Sequence, residues 1–101
     1  MTKTFITITG LNYRYGSEFL EKGMKVALVK EPDNEFDKEA IKVEMEGLGT
    51  IGYVANSPRT VLGESMSAGR LYDKIEERAT ATVLVKVENG VICKVAEKCI
   101  S

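Results

Sequence analysis

Short segments in which apolar and polar side chains alternate constrain the fold of this chain more than any other feature. Ile41, Val43 and Met45 alternate with lysine and glutamate, and residues 80–87 repeat the pattern with alanine and valine. Successive side chains of a β-strand point to opposite faces, so a period of two predicts half-buried strands. We predict six short strands, at residues 5–9, 25–30, 41–45, 50–54, 80–87 and 91–96.

Helix signals follow the fourth predicted strand. Ser57 suits an N-cap, Pro58 suits the first helical position and Gly69 suits the C-terminal end, so a helix is predicted between them. Residues 71–75 predict a second short helical turn. About six short strands with one or two short helices predict a mainly β chain, folded as a small, partly open β-barrel of OB-like or SH3-like type.

The length, the charge balance and the lack of histidine exclude several classes of protein. The chain has 101 residues, which predicts one domain over residues 1–101. Its 14 Lys+Arg against 15 Asp+Glu give a net charge of −1, which opposes a generic polyanion binder but allows a locally basic groove. Without histidine, Ser-His and Cys-His pairs and imidazole metal ligands are excluded. We expect no enzyme activity, no catalytic residue, no metal site and no cofactor.

The two cysteines and the N-terminal residues bear on the compartment. Cys93 and Cys99 would lie about 20 Å apart along one extended strand, beyond the reach of a disulfide. Cys93 is expected to be a small core residue. Two reduced cysteines, no secretory signal segment and no apolar run of membrane-spanning length predict a cytoplasmic chain without membrane contact.

The most distinctive segment is residues 31–43, between two predicted strands. Proline fixes φ, and asparagine and aspartate bond to nearby backbone, so we expect a structured connection braced by Asn34, with Asp37 suited to capping a turn. Phe36 is unusual in so polar a loop. It either folds back onto the core and pins the loop, or stands exposed as an aromatic contact surface beside Asp37.

Three motifs follow one another along the chain. They are residues 10–13 (Gly-Leu-Asn-Tyr), residues 31–43 (Glu-Pro-x-Asn-x-Phe-Asp-x-x-Ala-Ile-x-Val) and residues 51–54 (Ile-Gly-Tyr-Val). In this order they resemble the HIRAN domain, which occurs at the N-terminus of certain SWI/SNF-type fork-remodelling helicases and as a free-standing bacterial protein. The resemblance covers about residues 6–87. Helicase or hydrolase activity belongs to other domains of the multidomain relatives.

The resemblance implies an OB-like barrel that captures the 3′ end of single-stranded DNA. Tyr13 and Phe36 match the positions of aromatics on which bases stack. Asp37 matches the residue that would accept a hydrogen bond from the terminal 3′-hydroxyl, and its charge would repel an internal phosphate there. Tyr53 stands near the phosphates, where histidine is common, and would donate one neutral hydrogen bond.

The chain departs from the family pattern at two expected cations. Asn12 stands where the helicase domains have arginine, although Arg14 is positioned to compensate, and Asn56 stands where they have lysine. Fewer phosphate contacts predict weak, salt-sensitive binding of single-stranded or 3′-ended DNA. The residues expected to bind nucleic acid are Asn12, Tyr13, Arg14, Phe36, Asp37, Tyr53 and Asn56.

A second hypothesis uses the same barrel differently. The missing cations favour a protein-interaction or regulatory adaptor that binds another chain through exposed strand edges. The retained aromatics and Asp37 favour nucleic acid instead. A small free-standing domain of this family is also expected to work beside a helicase or nuclease partner protein.

Overall fold

Six antiparallel strands form a closed barrel in the computed structural model, which describes residues 3–11, 14–57 and 59–101. In chain order the elements are β1 (Phe5–Thr9), β2 (Lys25–Lys30), β3 (Ile41–Met45), β4 (Gly49–Val54), α1 (Ala68–Tyr72), β5 (Arg78–Val87) and β6 (Gly90–Val95), then a 3-10 turn at Glu97–Cys99. The order around the barrel is β1-β4-β3-β2-β5-β6, and β6 pairs with β1. The prediction of a mainly β, six-strand barrel is confirmed.

The barrel is closed, whereas the sequence predicted a partly open one. Strand β1 pairs with β6 on one side and with β4 on the other, at Ile8–Val54 and Thr9–Tyr53. Gly52 lets β1 approach β4, because a Cβ there would lie only 2.6 Å from the Thr9 carbonyl oxygen. Each of the six strands in the described ranges therefore has a neighbour on both sides, so binding through a free strand edge loses its structural basis.

Alternate residues of β2 and β3 fill the barrel, as the period of two predicted. In β5 the prediction was wrong beyond Val83, because the register with β6 shifts between Val83 and Val85 and leaves Val85 and Val87 exposed. Val26 and Leu28 of β2 and Ile41 and Val43 of β3 are all buried, while Lys42 between the last two points to the outer face. Burying an aliphatic side chain of this size is worth about 1.5–3 kcal/mol relative to leaving it in water. The core thus consists of branched aliphatic residues, and the outer face is left for polar contacts.

Helix α1 begins later than the sequence predicted. Ser67, and not Ser57, is its N-cap, and the Ser67 Oγ accepts a hydrogen bond from the backbone N–H three residues later at 3.3 Å. Gly69, predicted to end a helix, lies inside α1, and Pro58 lies outside the described residues. The position predicted for the first helix was wrong. The second predicted turn, at residues 71–75, overlaps the end of α1.

Strand β1 explains why the segment before Ser67 is not helical. The N–H of Leu62 donates to the Thr7 hydroxyl at 3.2 Å, and the N–H of Met66 donates to the Phe5 carbonyl at 2.7 Å. In a helix these groups would donate to carbonyls four residues earlier in the same segment. Tertiary hydrogen bonds to β1 therefore replace the helical bonds that the local sequence favours.

Both cysteines are free, and Cys93 is completely buried in β6, as predicted. Burial raises the pKa of the Cys93 thiol to about 12, because the thiolate would lose its hydration. An unfolded thiol titrates near 8.5. The stability gained by burying the neutral thiol is therefore complete below that pH and is lost as the pH rises towards 12.

The raised pKa predicts that Cys93 is unreactive in the folded protein. At pH 8 only about one thiol in ten thousand is ionised, and the thiolate is the reactive form. In a Cys99→Ser variant, which leaves Cys93 as the single thiol, we expect no labelling by iodoacetamide in native buffer and one added group in denaturant, measured by intact mass. Rapid labelling in native buffer would contradict the burial of Cys93.

No helix within the described residues has the length and apolar character needed to cross a bilayer. Across the same ranges, no three side chains of cysteine, aspartate or glutamate come together in a group that could hold a metal ion.

Candidate functional site

The loop between β2 and β3 is held in one conformation by Asn34. Its Oδ1 accepts hydrogen bonds from the backbone N–H groups of Phe36 and Asp37, at 2.8 and 2.9 Å. Its Nδ2 donates to Glu31 Oε1 at 2.6 Å. The N–H of Glu31 donates to the Ala40 carbonyl at 2.9 Å and closes the base of the loop. The bracing role predicted for Asn34 is therefore present.

Phe36 projects from this loop into solvent. Its exposed fraction is 94%, although a large apolar side chain such as phenylalanine is usually buried in a folded protein. Of the two alternatives that the sequence left open, the core anchor is therefore wrong, and the ring stands exposed. An exposed aromatic face on a braced loop is available for stacking by a planar ligand.

Asp37 lies beside Phe36 and is held at both oxygens. Its Oδ1 accepts from the N–H of Glu39 at 2.9 Å, which is the turn-capping role that the sequence suggested. Its Oδ2 accepts from Asn56 Nδ2 at 2.8 Å. Each carboxylate oxygen can accept a second hydrogen bond. The carboxylate is thus fixed in direction and still able to accept a donor from a ligand.

Asn56 connects the loop to helix α1. While its Nδ2 donates to Asp37, its Oδ1 accepts from the N–H of Gly69 at 2.7 Å. Both ends of the amide are therefore used inside the protein. Asn56 therefore orients Asp37 and links it to α1, whereas the resemblance led to the expectation of a phosphate-binding position there.

Tyr53 lies on the outer face of β4, and its hydroxyl donates a hydrogen bond to Glu31 Oε1 at 2.9 Å. Burial, and then this hydrogen bond, raise the pKa of Tyr53. The hydrogen bond expected from Tyr53 to a phosphate is instead made to Glu31, because that carboxylate lies within reach. Tyr53 consequently offers its ring and the acceptor side of its oxygen to the cleft.

Glu31 is the hydrogen-bond centre of the site, a role that was not predicted from the sequence. The bond from Asn34 is the main cause that lowers the pKa of Glu31, with smaller contributions from Tyr53 and the charges of Lys42 and Arg14. Glu31 is therefore ionised at neutral pH. Its position three residues before Asn34, across a proline turn, is the signal that could have revealed the pair.

The cations near the site differ in how they are held. Lys42 Nζ lies 3.1 Å from Glu44 Oε2 and 4.0 Å from Glu31 Oε2, and the hydrogen bond to Glu44 is the main cause that raises its pKa. Arg14 is exposed, and its charge acts on both Glu31 and Tyr53. In the part of the chain that the structure describes, Arg14 forms no ion pair.

These side chains surround one cleft of about 230 Å³ at the end of the barrel, which we call the end cleft. It is lined by Asn34, Phe36, Asp37, Ala40, Tyr53 and Val54. Three of the predicted site residues line it, Asn56 donates a hydrogen bond to Asp37, and the charge of Arg14 acts on Tyr53. The predicted site residues Asn12 and Tyr13 lie outside the described residues. The arrangement can stack a flat ring, accept one hydrogen bond at a fixed carboxylate and meet one anion.

Comparisons with known proteins agree with one another. The family model of the HIRAN domain matches residues 1–95. The crystal structure of the HIRAN domain of human HLTF is similar to this chain with a TM-score of 0.61 at 20% identity, over 92% of this chain and 74% of that one. At this identity the likeness shows the fold alone. The comparison with curated proteins gives no match.

Proposed function

The chain belongs to the HIRAN domain family, and on that premise we propose that it binds single-stranded DNA at its 3′ end through the end cleft. HIRAN domains are DNA-binding modules and are not catalytic on their own, so nucleic-acid binding in general follows from membership. The finer proposal concerns which end of the strand is bound and which side chains bind it.

The observation that carries the proposal is the exposed ring of Phe36 beside the fixed carboxylate of Asp37. Leaving a phenylalanine 94% exposed on a braced loop forgoes the stability that burial would give. A base stacked on such a ring contributes about 1–3 kcal/mol to binding and requires no particular sequence. The end cleft therefore suits the unstacked base at the end of a single strand.

Asp37 supplies the proposed preference for an end. A terminal 3′-hydroxyl donates a proton, and each Asp37 oxygen has a free acceptor position. An internal or terminal phosphate at the same place brings a second negative charge against the carboxylate and is disfavoured. Asn56 and the Glu39 N–H hold the carboxylate in the direction that this contact needs.

Weak and salt-sensitive binding follows from the few cations at the end cleft. Arg14 is exposed, whereas Lys42 is held by Glu44, and Asn56 carries no charge. Every phosphate contact contributes about −0.7 to the slope of log K against log salt for a single strand. The proposed adaptor function and the helicase or nuclease partner stay predictions. With the strand edges paired, an adaptor would have to use exposed side chains.

A titration with matched strands tests the proposal. We expect a short oligothymidylate with a 3′-hydroxyl to bind more tightly than one with a 3′-phosphate, and both to weaken as salt is raised, measured by calorimetry. Asp37→Asn should remove most of this preference, since it removes the charge and keeps the shape. Glu21→Gln, an equal charge change at an exposed residue before β2, at the end of that strand opposite to the Phe36 loop, should leave the preference unchanged.

Two results would count against the proposal, and they differ in meaning. No binding of either strand at low salt would remove the nucleic-acid function. Equal binding of both ends by the unmodified chain would keep nucleic-acid binding and remove the role proposed for Asp37.

A further inference from the structure

A second cleft of about 490 Å³ opens at Pro32, in the same loop as Phe36. It is lined by Val29, Lys30, Pro32, Tyr72, Glu77 and Arg78, and we call it the second cleft. Tyr72 is the last residue of α1 and is partly buried against the core. The ammonium of Lys30 lies 4.5 Å from the centroid of its ring, so the ring has a face that a charged or planar group can cover.

A single row of residues joins the two clefts across the outer face of the barrel. Tyr53 of β4 pairs with Lys42 of β3, Lys42 pairs with Val29 of β2, and Val29 pairs with Arg78 of β5. Neighbouring strands lie about 4.8 Å apart, so this row runs about 14 Å from the end cleft to the second cleft. A flexible strand leaving the end cleft can therefore reach the second cleft along the protein surface.

The charges of the two clefts differ in the way a DNA end would require. The end cleft presents the Asp37 carboxylate, whereas the second cleft is lined by Lys30, Arg78 and Glu77, with the Glu44 carboxylate at its edge. Arg78 is 63% exposed and lies 3.8 Å from Glu44, so that ion pair is a weak surface contact. A 3′-ended strand has an uncharged hydroxyl at its tip and phosphates behind it, which matches this order of charges.

We infer that the second cleft binds a nucleotide of the same single strand, on the 5′ side of the terminal one. The base stacks on Tyr72 in place of the Lys30 ammonium, and Lys30 and Arg78 then contact the flanking phosphates. This inference rests on the proposed function, since it extends the path of the strand held in the end cleft. It assigns Tyr72, Lys30 and Arg78 to nucleic-acid binding.

The test compares a thymidine dinucleotide with a hexanucleotide, both with a 3′-hydroxyl, by chemical-shift titration. Only the longer strand spans both clefts, so the unmodified chain should bind it more tightly. Tyr72→Leu keeps the packing against the core and removes the aromatic face. It should weaken hexanucleotide binding at least fivefold, the lower end of one base–aromatic stack, and change dinucleotide binding less than twofold.

A charge variant tests the same inference independently of Tyr72. Replacing both Lys30 and Arg78 by glutamine should make the salt slope for the hexanucleotide shallower by about 1.4, two single-strand phosphate contacts. Lys86→Gln is the control, because Lys86 is exposed near the opposite end of β5.

The outcomes separate this inference from the proposed function. If the unmodified chain binds both lengths with equal affinity, or if Tyr72→Leu weakens both equally, the second cleft does not bind DNA. Either result leaves the proposed role of the end cleft unchanged. If the unmodified chain binds neither the dinucleotide nor the hexanucleotide, both the second-cleft inference and the proposed function are overturned.

Discussion

Replacing Phe36 with alanine is expected to weaken the binding of single-stranded DNA by about 1–3 kcal/mol, because the base loses its stacking partner. The free energy of unfolding should change by less than about 0.5 kcal/mol, since the ring is 94% exposed and contributes little to the core. Calorimetric titration and urea unfolding of the same preparation measure the two quantities. Few substitutions in this chain should separate binding from stability so completely.

A matched variant shows whether the effect belongs to the end cleft. Val87→Ala also trims an exposed apolar side chain, 40% exposed, at the β5–β6 end of the barrel. It should leave DNA affinity unchanged. If Phe36→Ala binds DNA as the unmodified chain does, no base stacks on this ring and the proposed binding mode fails. If Phe36→Ala unfolds the protein, the ring has a structural role that its exposure contradicts.

Replacing Asn34 with alanine is expected to affect both stability and binding. The side chain makes three hydrogen bonds that hold the loop, one of them to the ionised Glu31. Their loss should lower the free energy of unfolding by about 3–4 kcal/mol, since the two neutral bonds contribute about 1 kcal/mol each and the bond to the ionised Glu31 somewhat more. DNA affinity should fall as well, because Phe36 and Asp37 lose the backbone contacts that position them.

The control for Asn34 is Asn89→Ala, in the exposed turn between β5 and β6. The same change of residue there should cost less than about 0.5 kcal/mol of stability and leave binding unaffected. Should Asn34→Ala lose stability and still bind DNA with full affinity, order in this loop would be unnecessary for recognition. That result would contradict the proposal that binding of the DNA end needs the Asp37 carboxylate to be held in one direction.

The sequence predicted the loop contacts of the end cleft well where they are local. Asn34, Phe36 and Asp37 lie within four residues of one another, and side-chain bonds to nearby backbone follow from residue type. The contacts of Tyr53 and Asn56 could not be predicted in this way. Each joins residues about twenty positions apart, and which carboxylate meets which donor depends on how β4 lies against the loop.

The helix shows the same limit of local reasoning. Ser57 and Ser67 both precede residues that suit a helix, and only Ser67 is the N-cap of α1. The hydrogen bonds from Leu62 and Met66 to β1 decide between them. Local propensity is worth a few tenths of a kcal/mol per residue, so a pair of tertiary hydrogen bonds is enough to outweigh it.

By itself, the sequence determined the six strands, the alternation that buries one face of β2 and β3, and the family to which the motifs belong. These follow from the period of two and from short motifs, which are local properties of a chain. Only the tertiary structure decided that the barrel closes, that Phe36 stands in solvent, and that Glu31 and Asp37 accept hydrogen bonds from Tyr53 and Asn56. Those outcomes depend on which distant segments meet, since hydrogen bonds and burial are set by distances in space and not by spacing along the chain.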